Sequence, residues 1–128
     1  MKVVPHSPTE GVYPATRDYV HAMEVRGADR LLFVAGTMGL DPAGQAGATL
    51  DEQLVLVWSN IRAILASADM TVDNIVRLTS YLRDASYAEA NAAARTAALG
   101  GRLVPTTAIV AQTLVSEWLV EIEVIAAA

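Results

Sequence analysis

Residues 117–128 read EWLVEIEVIAAA, an apolar strand pattern interrupted twice by glutamate. With side chains alternating, Val120, Ile122 and Val124 fall on one face, and Leu119, Glu121, Glu123 and Ile125 on the other. Glutamate is a poor strand former and is seldom buried without a partner. Either this face meets water, or the carboxylates are sheltered for a chemical reason. The choice depends on what the rest of the chain can lay against the strand.

Upstream, YVHAMEV (19–25) and RLLFVAG (30–36) read as strands joined through RGAD (26–29), whose Gly27 and Asp29 suit a turn, so a hairpin is expected. GTMGLDPAGQAG (36–47) follows as a glycine-rich bend. Gly36 and Gly39 there serve either turn geometry or a backbone facing a ligand. The clearest helix is TLDEQLVLVWSNIRAILASAD (49–69). Leu50, Leu54, Val57, Trp58, Ile61, Ile64, Leu65 and Ala68 form its apolar stripe, Thr49 and Glu52 have capping-box spacing, and Asp69 marks the stop. IVRLTSYLRD (75–84) has strand composition. A second, alanine-rich helix runs from about Tyr87 to Leu99, with Ser86 and Glu89 spaced as a capping box and Gly100-Gly101 at its end. Strands at TTAIVAQ (106–112) and WLVEIEV (118–124) complete an order of strand, strand, helix, strand, helix, strand, strand.

The 128 residues fit a single domain, 1–128, able to bury roughly two-thirds of its unfolded surface. Hydrophobic residues make up 53% of the chain and charged ones 18%, yet no apolar run is long enough to suggest a membrane span. MKVVPHSPTEG (1–11) lacks a signal-peptide core, so a cytoplasmic location is the expectation. Without cysteine there is no thiolate chemistry. A net charge of -5 with no basic cluster speaks against nucleic acid as a partner. His6 and His21, the only imidazoles, are far apart and read as surface or strand residues, so no metal site is expected.

Two helices of this length cover one face of a four- to six-stranded sheet, and the other face is too apolar to be left in water. Oligomerisation is the expected remedy. It would place Glu121 and Glu123 at or near a subunit boundary, where partial desolvation favours proton exchange near neutral pH.

YVHA (19–22), LLFVAGTMGLDPAG (31–44), NIRAILASADMTVDNIVRLTSYLRD (60–84), YAEAN (87–91) and LVEIEVIA (119–126) together resemble the reactive intermediate deaminase family, RidA/YjgF, over nearly the whole chain from Tyr19 to Ala126. The resemblance implies an α+β, chorismate-mutase-like fold, a mixed sheet with two helices packed on one face. It also implies a homotrimer with small-molecule sites in the intersubunit clefts, hydrolysis of enamines and imines to 2-oxo acids and ammonia, and no metal or organic cofactor. By the same resemblance Glu121 directs water and protons with Tyr19 as a second catalytic group, while Gly36, Asn91 and Thr107 line the pocket.

One feature of the family is absent. Its substrate-carboxylate arginine falls on Pro105 in LVPTTAIV (103–110) by counting back from LVEIE, or on Thr107 if the prolines are aligned, and neither supplies a guanidinium. Arg102 lies at an odd offset from Pro105 and would need a bulge to share its face. Losing such an anchor costs about 2 to 5 kcal/mol, so the small 2-imino acids are expected to bind poorly. Two readings follow. One is an enzyme of hydrolytic or proton-transfer type for a larger or less anionic substrate, with Thr106 and Thr107 as hydrogen-bond donors and His21, two positions from Tyr19, as an extra acid-base group. The other is a non-catalytic trimer that binds a metabolite or protects a partner. Endoribonuclease activity is a third class that the acidic balance disfavours.

Overall fold

The computed structural model describes residues 1–128. The elements are β1 (Lys2–His6), β2 (Ala22–Arg26), β3 (Leu31–Met38), α1 (Leu50–Ala66), β4 (Ile75–Leu82), α2 (Ala88–Ala98), β5 (Thr106–Val110) and β6 (Val120–Ala127), with single 3-10 turns at Val72–Asn74 and Ala85–Tyr87. β1 and β2 form a two-stranded ribbon, and the other strands form a sheet in the order β3-β6-β4-β5. β4 and β5 run parallel and the remaining pairs antiparallel, so the sheet is mixed. Both helices lie on one face of it, the arrangement the sequence resemblance implies. No helix is long and apolar enough to cross a membrane.

The opening stretch becomes an inner strand. β6 lies between β3 and β4, and Val120, Ile122, Val124 and Ala126 are buried under the helices while Glu121, Glu123 and Ile125 are half-buried on the opposite face. Leu54, Val57, Trp58, Ile61 and Leu65 of α1 meet that strand's apolar face together with Leu78 and Leu82 of β4. Each large side chain so enclosed contributes about 1.5–3 kcal/mol. Thr49 caps α1 by accepting from the Glu52 amide, and Glu52 reaches back to the Ala48 amide at 2.8 Å. Gln53, wholly buried, ties the helix to the loop before β6. Its Nε2 donates to the carbonyls of Gly47 (2.9 Å) and Glu117 (2.7 Å), and its Oε1 accepts from Leu119 N (2.9 Å).

Several expectations are corrected. The 19–25 and 30–36 segments are not a hairpin: β2 pairs with β1, a strand the sequence reading missed, and β3 pairs with β6. Gly27 does turn the chain at φ 66°, but the amides of Asp29 and Arg30 then donate to the Ala128 carbonyl, so β3 enters beside the end of β6. Alternation fixes a strand's faces and leaves its partner open. Ile64 is 38% exposed, because it sits at the margin of the α1 stripe beyond the edge strand β3. The Ser86–Glu89 box does not form. The Asp84 carboxylate captures the Ser86 amide at 2.8 Å and tightens the chain into a 3-10 turn, so α2 begins at Ala88 without a side-chain cap. At Gly39 a side chain would collide with the Gln53 backbone, so that glycine permits close packing on α1 and needs no special φ.

The N-terminal segment is held by an ion pair. Arg95 on α2, only 4% exposed, donates from Nη2 to Asp18 Oδ2 at 2.6 Å. The Thr16 hydroxyl, followed by the Arg95 guanidinium, holds the Asp18 carboxyl below its ordinary 3.8 against an opposing desolvation effect. A depressed carboxyl pKa stabilises the fold above the unfolded-state pKa, and the benefit disappears as pH falls through the lower folded-state value. Asp18→Asn is therefore expected to lower Tm near pH 7, with the gap from the parent closing below about pH 4 in thermal melts. Arg95→Ala should cost roughly 1.5–3 kcal/mol, since a charge-assisted bond and a buried side chain are lost together.

Candidate functional site

The uncovered face of the four-stranded sheet carries the candidate site. Pairing register sets its rows. Glu121 on β6 is opposite Met38 and Tyr81, and Glu123 is opposite Thr79, which in turn is opposite Thr107 on β5. Arg77 is opposite Ile125 and completes the β4 series Arg77, Thr79, Tyr81. The same face bears Phe33, 71% exposed, and Leu31 at 57%.

A bulge interrupts β3 between Val34 and Thr37, with the Thr37 hydroxyl donating to the Ala35 carbonyl at 2.9 Å. At the bulge, Gly36 lies directly under the Glu121 carboxyl group, and a Cβ there would overlap Oε1. A side chain at 36 would push the Glu121 carboxyl aside, so this close approach, and not turn geometry, is what favours glycine there; its φ is not positive. The two expected site residues are thus brought together, and Glu121 has no hydrogen-bond partner within the chain. Next to it Tyr81 donates its hydroxyl to Glu123 Oε1 at 2.6 Å. That bond to a carboxylate, with desolvation and the charges of Glu123 and Glu121, raises the Tyr81 pKa above its ordinary 10.0, so the phenol keeps its proton. The face holds one carboxylate that is a donor's partner and one that is free.

The other expected residues divide. Thr107 faces the site, and its Oγ1 accepts from Arg77 Nη2 at 2.7 Å. Thr106 pairs opposite buried Leu78, and its hydroxyl donates back to the Val104 carbonyl at 3.0 Å, so it belongs to the helix side. Pro105 is buried, bridged to Val20, and its carbonyl accepts from Leu78 N. Through that bridge Tyr19 and His21 stand beyond the β5 edge, rings edge-on at 5.7 Å, with His21 Nε2 also 2.8 Å from the Tyr13 carbonyl. Asn91, 1% exposed, points inward from α2, with Oδ1 unbonded in the chain. Arg102 Nη2 donates to the carbonyls of Val72 (2.8 Å) and Ile75 (2.7 Å), which commits its guanidinium to the turn before β4.

Sequence reasoning missed Arg77, Tyr81 and Arg95. Period two in IVRLTSY places Arg77, Thr79 and Tyr81 on one face, which was a usable signal for the first two. For Arg95 the signal was its i, i+4 spacing from Asn91 on an otherwise alanine-lined helix.

The sequence model described as Ribonuc_L-PSP, Endoribonuclease L-PSP, matches residues 10–128. A RutC family protein of Aquifex aeolicus (strain VF5) is 36% identical over 67 residues, 52% of this chain and 51% of that protein, so the similarity spans about half the relative's length. Among solved structures, the Rid-family protein YyfB from Yersinia pestis superposes with a TM-score of 0.85 at 27% identity, over 100% of both chains. RidA from the Antarctic bacterium Psychrobacter sp. gives 0.73 at 24% identity over 95% of this chain and 98% of that one, a likeness of fold. With its matched residues and its mixed sheet under two helices, the chain belongs to the endoribonuclease L-PSP family, also called RidA/YjgF.

Proposed function

We propose that the open sheet face, closed over by neighbouring copies in a homotrimer, hydrolyses small enamines and imines to carbonyl compounds and ammonia without a cofactor. The observation that carries this reading is the unpaired, half-buried Glu121 carboxyl lying over the Gly36 backbone, in a family whose fold this chain shares. The apolar face around it, with Phe33 and Leu31 exposed, supports closure by another protomer.

In the chemistry proposed, Glu121 takes a proton from water as its oxygen bonds to the C=N carbon. The proton passes to nitrogen, the resulting carbinolamine loses ammonia, and the C=O forms. An enamine first gains a proton at carbon and becomes the imine. In this reading backbone amides beside the β3 bulge would polarise the substrate, and Tyr19 with His21, projecting past the β5 edge, would reach the site of an adjacent copy.

The reading is tested by supplying a freshly generated neutral imine, which needs no carboxylate anchor, alongside 2-iminobutanoate, and following the carbonyl product and ammonia against the spontaneous rate. Acceleration is expected. Stabilisation by the product acid without turnover would favour the binding-protein reading instead. RNA incubated at low salt is expected to remain intact, since the chain carries net charge -5 and no basic cluster.

A further inference from the structure

We propose that Arg77 is the carboxylate anchor of this site, supplied from β4 in place of the arginine that β5 lacks. This deepens the imine-hydrolase reading and rests on it for the location of the site. Aligning the prolines puts Thr107 at the family's arginine position, and Thr107 Oγ1 is where the Arg77 guanidinium ends, 2.7 Å from Nη2. A threonine is too short to grip a ligand across the cleft, but its hydroxyl can fix the guanidinium of the neighbouring strand. The charge is therefore relocated by one strand and delivered to nearly the same place.

Its place on the sheet and its bonding state together distinguish Arg77 from the other arginines: Arg17, Arg30 and Arg62 are exposed, and Arg30 donates to the Ala68 carbonyl. Arg95 is paired with Asp18 and Arg26 with Glu24, Arg83 donates to Thr113, and Arg102 donates to Val72 and Ile75. Arg77 alone among the arginines lies on the Glu121 face with a neutral hydroxyl as its sole partner. It is half-buried and has no carboxylate within ion-pair distance, so most of its five N–H donors have no partner within the chain. Phe33, Ile125 and Glu123 line the same hollow, and the Glu123 carboxylate is engaged by the Tyr81 hydroxyl. A planar, partly desolvated guanidinium with free donors matches a carboxylate in bidentate fashion. From the ordinary strand spacing, the Cα atoms of Thr107 and Glu121 lie about 10 Å apart across the strands and roughly 7 Å along them. Side chains reaching inward from both ends leave room for a small 2-imino acid, its carboxylate on Arg77 and its C=N toward Glu121.

Calorimetric titration with 2-oxobutanoate, together with the hydrolysis assay, tests this. The parent protein and the surface variant Arg62→Gln should bind alike, Arg77→Gln should lose about 30-fold or more in affinity, and Arg77→Lys should lose less. The loss in hydrolysis should appear in KM for the acid and be absent for a neutral imine. The exchange variant Arg77→Thr/Thr107→Arg returns a guanidinium to β5 and is expected to recover binding, which separates anchoring from any folding defect in the single variant. Unchanged affinity in Arg77→Gln, or hydrolysis of imines by a parent protein with no affinity for the acid, overturns the anchor and leaves the hydrolase reading intact. Arg77-dependent binding without hydrolysis of any imine leaves the anchor intact and overturns the hydrolase reading.

Discussion

Glu121→Gln is expected to lower kcat for imine hydrolysis by about 10²- to 10⁴-fold, with little change in KM or Tm. Glutamine preserves the volume over Gly36, which is the tightest constraint on the side chain, and removes only the capacity to take a proton from water. Because Glu121 makes no hydrogen bond within the chain, the substitution leaves no partner unsatisfied and the fold should be indifferent to it. Glu123 cannot take over. Its Oε1 is held by the Tyr81 hydroxyl, and it lies one row further along the sheet, opposite Thr79. Rates for the parent and variant, measured with melting curves, decide the point. A variant retaining full kcat would remove Glu121 from the chemistry.

Phe33→Asp is expected to dissociate the assembly and abolish turnover while leaving the protomer folded. In the single chain the ring is 71% exposed and makes no part of the core under the helices, so its loss should scarcely alter the protomer's circular dichroism. Between copies, the covered ring would contribute about 1.5–3 kcal/mol, and cyclic symmetry repeats the effect at every equivalent interface. An aspartate placed there adds the desolvation of an unpaired charge, several kcal/mol more. Sedimentation and the hydrolysis assay should therefore fail together. A Phe33→Asp protein of unchanged mass would move the interface away from this face.

The parts of the fold that were legible in the sequence are those whose pattern is local. The two faces of β6, the α1 stripe with its Thr49 cap and the stop of α2 at Gly100-Gly101 (φ 61° and 81°) are each written in one continuous stretch of chain. Strand partnership is not local. β2 alternates equally well beside β1 or β3, and only the long-range match of β3 with β6 settles the matter. The site divides in the same way. Gly36 and Glu121 were identified through resemblance and meet in space, whereas Arg77 was passed over inside a segment read only as a strand. Its relation to Thr107 requires the parallel β4–β5 register, which aligns two stretches nearly thirty residues apart. Thr106 was named together with Thr107 although adjacent strand residues face opposite ways, a distinction the register makes immediate.

Whether Glu121 works in a cleft closed by identical protomers is measured most directly by sedimentation equilibrium of the unmodified protein at the micromolar concentrations of the hydrolysis assay. The predicted result is a mass three times the 13.6 kDa of one chain, with turnover. A 13.6 kDa species that hydrolyses imines at the full rate would contradict it.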